Sequence, residues 1–184
     1  MLTFKKGFTL IELLVVIGVL AVLMAGVVAL INPVEKNRQA LDARVFNDIG
    51  QMSTAVQTIA ATQTDGAYPC LAAAAGCVNP SVAMLAYLGN GVNASAELQS
   101  VPTAPNGGAA PFSAYLYFAP AGTRPTAFEL YGKLGSQKYN SQCSAAMGGT
   151  QSWYVFDSSV GRACIECRGA APAAYAAIAC DINL

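Results

Sequence analysis

The sequence predicts an α+β protein: a long N-terminal α-helix, apolar in its first half and amphipathic in its second, packed on a small antiparallel β-sheet domain. Three observations predict it. An apolar run from Phe8 to Ile31 leads into a stripe of helical period from Val34 to Ile59. Four aromatic and β-branched segments, each bounded by Gly, Pro or Ser clusters, lie in the C-terminal half. All six cysteines fall after Pro69. Of the 184 residues, those beyond the apolar run and the exposed helix leave one small globular domain of roughly 115 residues.

The apolar run is interrupted only by Thr9, Glu12, Gly18 and Gly26. As a helix it rises roughly 36 Å at about 1.5 Å per residue, enough to cross a bilayer. It is too long for the core of a secretory signal peptide, and Asn32-Pro33 and a charged segment follow it instead of a small-residue cleavage site. Lys5 and Lys6 on its N-terminal side favour a cytoplasmic N-terminus, which places everything after Ile31 on the outer side of the membrane. Glu12 does not fit an apolar span. A carboxylate there costs several kcal/mol unless it is paired, protonated or able to snorkel to the headgroups, so it is a candidate functional residue.

Asn32-Pro33-Val34-Glu35 reads as a helix start, with Asn as N-cap, Pro at the first helical position and Glu three residues after the cap. In an already helical chain the same Pro removes a backbone hydrogen bond, so a bend is expected near residues 29–33. Beyond it Val34, Leu41, Val45, Ile49, Met52, Val56 and Ile59 recur at intervals of three, four or seven, the mark of an amphipathic helix. Glu35, Lys36, Arg38, Asp42, Arg44 and Asp48 lie between them and read as a solvated face, with Glu35–Arg38 and Arg44–Asp48 spaced for weak ion pairs. The helix is expected to end near Thr64, giving a continuous or kinked rod of about 85 Å.

Strands are predicted over Ala114–Ala119, Ala127–Lys133, Ser152–Asp157 and Ala163–Arg168. They form a small antiparallel sheet, one face covered by the helix stripe from Leu41 to Ile59 and the other free to meet water. Between Cys70 and Pro111 lie one short helical candidate, Ser81–Leu88, and a Gly/Asn/Pro-rich loop from Pro105 to Pro111.

The stretch Lys5-Lys6-Gly7-Phe8-Thr9-Leu10-Ile11-Glu12 resembles the N-terminus of type IV pilins and type II secretion pseudopilins. A short basic leader ends in Gly, an aromatic residue follows, and Glu stands fifth after the cleavage point. The resemblance implies cleavage between Gly7 and Phe8 by a prepilin peptidase and N-methylation of Phe8. It also implies extraction from the inner membrane into a homo-oligomeric helical filament by a pilus or secretion assembly machinery. It covers residues 5 to about 31; Asp65-Gly66-Ala67-Tyr68-Pro69 is similar to the D-G-x-Y-P turn of major pseudopilins and many pilins. Many pilins carry a Pro where this chain has Ala29. The implied organisation is a leader at 1–7, an assembly helix at 8–31, an amphipathic helix at 32–65 and a disulfide-stapled domain at 66–184.

Cleavage would leave a charged amine on Phe8 in the same apolar surroundings as Glu12, and opposite charges that are each costly alone become tolerable when paired. The geometry within one helix is poor, so the amine of a neighbouring subunit is the better partner. The expected function is therefore a structural subunit, a type IV pilin. The alternatives are a major pseudopilin, or a single-span protein with an extracytoplasmic binding domain that never polymerises.

Six cysteines outside the cytoplasm, Cys70, Cys77, Cys143, Cys164, Cys167 and Cys180, favour disulfides. Cys70 and Cys77 are expected to close a local loop, and Cys143–Cys164 with Cys167–Cys180 is the expected arrangement of the rest, although sequence alone does not choose among pairings. Cys164-Ile165-Glu166-Cys167 has the spacing of a redox motif, but it sits in a strand and lacks the second such pair of a zinc ribbon. With no histidine in the chain, histidine triads and imidazole metal sites are excluded. Gly107-Gly108 and Gly148-Gly149 read as turns, and Asp157 and Asp181 are too isolated to suggest calcium. No catalytic residue, metal or cofactor is expected. Without Lys5 and Lys6, eight basic side chains stand against ten acidic ones, which argues against a nucleic-acid partner.

Overall fold

A computed structural model describes residues 7–62, 64, 66–69, 98, 100–120, 124–143, 149–176, 178 and 180–182. The expected helix at Ser81–Leu88, together with Cys70 and Cys77, lies outside them. The chain divides into two compact units between Asn37 and Arg38.

The first unit contains α1, Leu10–Leu30, and the start of α2, Pro33–Thr62. The helix is interrupted where the sequence predicts: Ile31 is extended at φ −93°, ψ 118°, and Asn32 Oδ1 accepts the Glu35 amide at 3.2 Å. Proline at the first helical position has no amide to leave unsatisfied, so a new helix starts there without penalty. Val34, counted in the sequence with the buried stripe, is 59% exposed.

In the second unit α2 lies on a four-stranded antiparallel sheet whose strands follow one another in space as in sequence. They are β1 (Leu116–Phe118), β2 (Glu129–Lys133), β3 (Gln151–Asp157) and β4 (Arg162–Arg168). All four match predicted strands. A single turn of helix, α3 (Gln137–Asn140), lies between β2 and β3 and was not predicted.

Val45, Ile49, Met52, Val56 and Ile59 of α2 are buried against Tyr117, Phe128, Leu130, Leu134 and Ile165. Close approach of helix and sheet depends on Gly132, where a Cβ would stand 2.5 Å from Val45 Cγ1. The turn after α2 is fastened from both sides. Gly66 sits at φ +65°, where a side chain would be strained; Tyr68 donates its amide to Pro125 O at 2.9 Å, and Pro69 O accepts from Tyr117 Oη at 2.8 Å.

Two expectations are corrected here. Asp42 and Asp48 are not on a solvated face but are 1% and 7% exposed. Asp42 accepts the amides of Gly135 and Ser136 at 2.7 and 3.2 Å, so one carboxylate fixes the chain after β2 against α2. Asp48 accepts from Tyr115 Oη at 2.6 Å and pairs with Arg44 at 3.5 Å; burial, then this carboxylate, push the Tyr115 hydroxyl far above its ordinary range. The charges are affordable because each is hydrogen-bonded where it is buried.

Nor does the second face of the sheet meet water. Phe118, Tyr131, Trp153, Val155 and Cys164 form a second cluster there, covered by Tyr175, Ile178 and Cys180 of the C-terminal segment.

Candidate assembly site and disulfide framework

Thr9, extended at φ −82°, ψ 150°, caps α1. Its Oγ1 accepts the Glu12 amide at 3.3 Å, while Glu12 Oε2 accepts from the Thr9 amide at 2.9 Å and from Thr9 Oγ1 at 2.7 Å. This reciprocal capping box satisfies two of the open amides at the helix start and gives the carboxylate a local partner. Thr9 was not singled out from the sequence, although a Thr three residues before a Glu at the mouth of an apolar run is the signature of such a box.

Gly7 and Phe8 precede the helix, and Phe8 is 80% exposed. Leu10–Val27 is long and apolar enough to cross a membrane, with none of it buried. Leu13, Ile17, Leu20 and Leu23 are each half exposed or more. Nothing within this unit covers them, so this surface requires lipid or another protein.

The cysteines of the second unit pair as Cys143–Cys167 and Cys164–Cys180, which corrects the expected Cys143–Cys164 and Cys167–Cys180. Strand geometry explains it. Cys164 and Cys167 are an odd number of residues apart on β4, so their side chains emerge on opposite faces. Cys164 faces the second cluster, where Cys180 arrives with the C-terminal segment. Cys167 emerges on the α2 side and meets Cys143, whose amide is held by Tyr139 O at the end of α3. Neither thiol is available to the other, so the redox spacing carries no dithiol in this state.

Asp157 and Asp181 have structural partners: Asp157 Oδ1 accepts from Ser159 N and Oγ at 2.7 and 2.6 Å, and Asp181 Oδ2 accepts the Cys167 amide at 2.7 Å. Among the described residues no group of acidic or thiol side chains is placed to hold a metal ion.

A solitary apolar helix with a capped acid at its mouth, followed by a second helix and a four-stranded antiparallel sheet, is the α+β arrangement of pilin-like proteins. Residues 3–28 match the prokaryotic N-terminal methylation motif, the signature of type IV pilins and pseudopilins. The motif and the apolar helix together fit a membrane-anchored precursor processed by a prepilin peptidase. No curated protein and no solved structure matches the chain.

Proposed function

We propose that this chain is the structural subunit of an extracytoplasmic helical filament, a type IV pilin that polymerises through α1 once the leader is removed between Gly7 and Phe8. The observation that carries the reading is the conjunction of the methylation motif at residues 3–28 with a helix whose apolar surface is uncovered along its length. In the membrane that surface meets lipid; in a filament the same surface meets the helices of neighbouring subunits.

Glu12 sets the register in this reading. Before assembly its carboxylate is satisfied by Thr9. Cleavage and methylation leave a cationic amine at Phe8, and an incoming subunit presents that amine to Glu12 of the one before it. Ion pairing of two groups that are each expensive in an apolar medium is worth more than it would be in water. The disulfide-stapled domain is then displayed outside.

A second reading is favoured by the turn at Gly66–Pro69, whose sequence is similar to that of major pseudopilins: the filament would be the short pseudopilus of a secretion system. Intact mass and N-terminal sequencing of the protein from membranes and from sheared fibres test the proposal. A chain starting at methylated Phe8 is the expected result. One that retains Met1–Gly7 would overturn it and leave a membrane-anchored binding domain. Recovery of the processed chain in fibres sheared from the cell surface separates pilus from pseudopilus.

A further inference from the structure

The second face of the sheet holds more carboxylates than cations. Glu129 on β2, Asp157 on β3 and Glu166 on β4 are 1%, 8% and 5% exposed. Register places Glu129 opposite Asp157 and Trp153 opposite Glu166. Arg168, the cation reaching into this group, is engaged by Glu166, its Nε lying 2.7 Å from Oε2, and its guanidinium lies over the Tyr131 ring at 5.5 Å. Glu129 has a weak anchor: Oε2 accepts from Tyr131 Oη at 3.2 Å, and Oε1 has no hydrogen-bond partner among the described residues. Trp153 Nε1 is likewise buried without one. Phe118 stands opposite Glu129 on β1, and Arg162, opposite Asp157, is exposed at the rim. Above lies the C-terminal segment, whose Tyr175 feels both Asp157 and Glu129.

We propose that the C-terminal segment bearing Tyr175 and Ile178 is a proton-dependent cover over this face, seated while the Glu129 carboxyl is neutral and lifted when it ionises. A neutral carboxyl is tolerated under an apolar cover; an anion beside Asp157 and Glu166, with Arg168 already committed, is not. Burial pushes Glu129 up to about 7, opposed by the Tyr131 hydroxyl and the Ala176 amide and reinforced by Asp157 and Glu166. Because the covered state holds the proton more tightly than the uncovered one, raising the pH through this value weakens the cover, and lowering it restores the cover. The lifted segment stays attached at both ends. It leaves β4 after Arg168 and is held again by Cys164–Cys180 and by the backbone bonds between Ile165 and Ile182.

Trp153 is the only tryptophan and lies 1% exposed on the same face, so its fluorescence in the full-length protein in detergent micelles reads the cover directly. Acrylamide quenching is expected to be weak at pH 5 and to rise several-fold by pH 9, with unchanged far-ultraviolet circular dichroism. E129Q is expected to remain protected at pH 9. Quenching that does not change with pH, a transition in E129Q equal to that of the wild type, or loss of the sheet signal along with Trp153 protection would each overturn the proposal. Should E129Q not fold, hydrogen exchange in the wild type decides. After correction for intrinsic rates, amides around Tyr175 must lose protection between pH 5 and pH 9 while those of β2 and β3 keep theirs; equal protection at both values would overturn it.

Discussion

Helices α1 and α2 stand almost end to end in sequence, yet they solve opposite problems. Along α2 the apolar side chains are spaced to one side, and Val45, Ile49, Met52 and Val56 are fully buried against the sheet. Around α1 they face every direction, and Leu10, Ile11, Val22 and Met24 are each more than two-thirds exposed. An apolar residue on α2 contributes to folding of its own chain; one on α1 contributes nothing until lipid or another subunit arrives. The polar residues differ in the same sense. Asp42 and Asp48 bind groups of their own domain, whereas Glu12 binds only its own helix cap.

The largest test of this contrast is Glu12→Ala. On the proposed reading it leaves leader cleavage intact but lowers filament yield in sheared-fibre blots by tenfold or more, since stripping one charge from a buried pair costs roughly 3–5 kcal/mol. Normal filaments would break the pairing argument. Next comes Ile49→Ala, expected to lower stability in denaturant by about 2–5 kcal/mol. Val34→Ala, on the uncovered side of the division, is expected to change it by less than about 0.5 kcal/mol; equal effects would erase the distinction between the two units. Asp42→Ala leaves the Gly135 and Ser136 amides without their acceptor and is expected to cost about 2 kcal/mol. Smallest is Asn32→Ala, about 1 kcal/mol of helix stability from the lost cap, visible as fraying of the first turn of α2 in hydrogen exchange. Protection there equal to the wild type would show that Pro33 alone sets the start.

Local pattern accounts for what was legible. The four strands were found because Tyr, Phe, Trp and Val alternate between turn residues, and the start of α2 because Asn32-Pro33 is a complete local signal. The burial of Asp42 and Asp48 was not legible, since Gly135, Ser136 and Tyr115 are far along the chain and nothing near Asp42 or Asp48 announces them. The disulfides were half legible. The odd spacing of Cys164 and Cys167 already separates them onto two faces, but which partner waits on which face depends on where the C-terminal segment crosses the sheet. Thr9 was legible and passed over, because Glu12 was read against a membrane rather than against its own helix start. Mass mapping without reduction tests the framework: peptides linked as Cys143–Cys167 and Cys164–Cys180 are expected, and a Cys164–Cys167 link would contradict it.

The two bridges overlap, and that overlap limits how far the domain can stretch. A pull applied between Cys143 and Cys180 passes through one sulfur bridge to Cys167, back along three residues to Cys164, and through the other bridge to Cys180. The bridges span 24 and 16 residues of sequence, yet only the short return path lies under tension. At roughly 3.5 Å per extended residue, more than 100 Å of slack is locked away, and single-molecule extension should gain about that much when a reductant is added. A fibre built from such subunits would lengthen by unwinding helices or sliding subunits long before β3 or β4 felt the load.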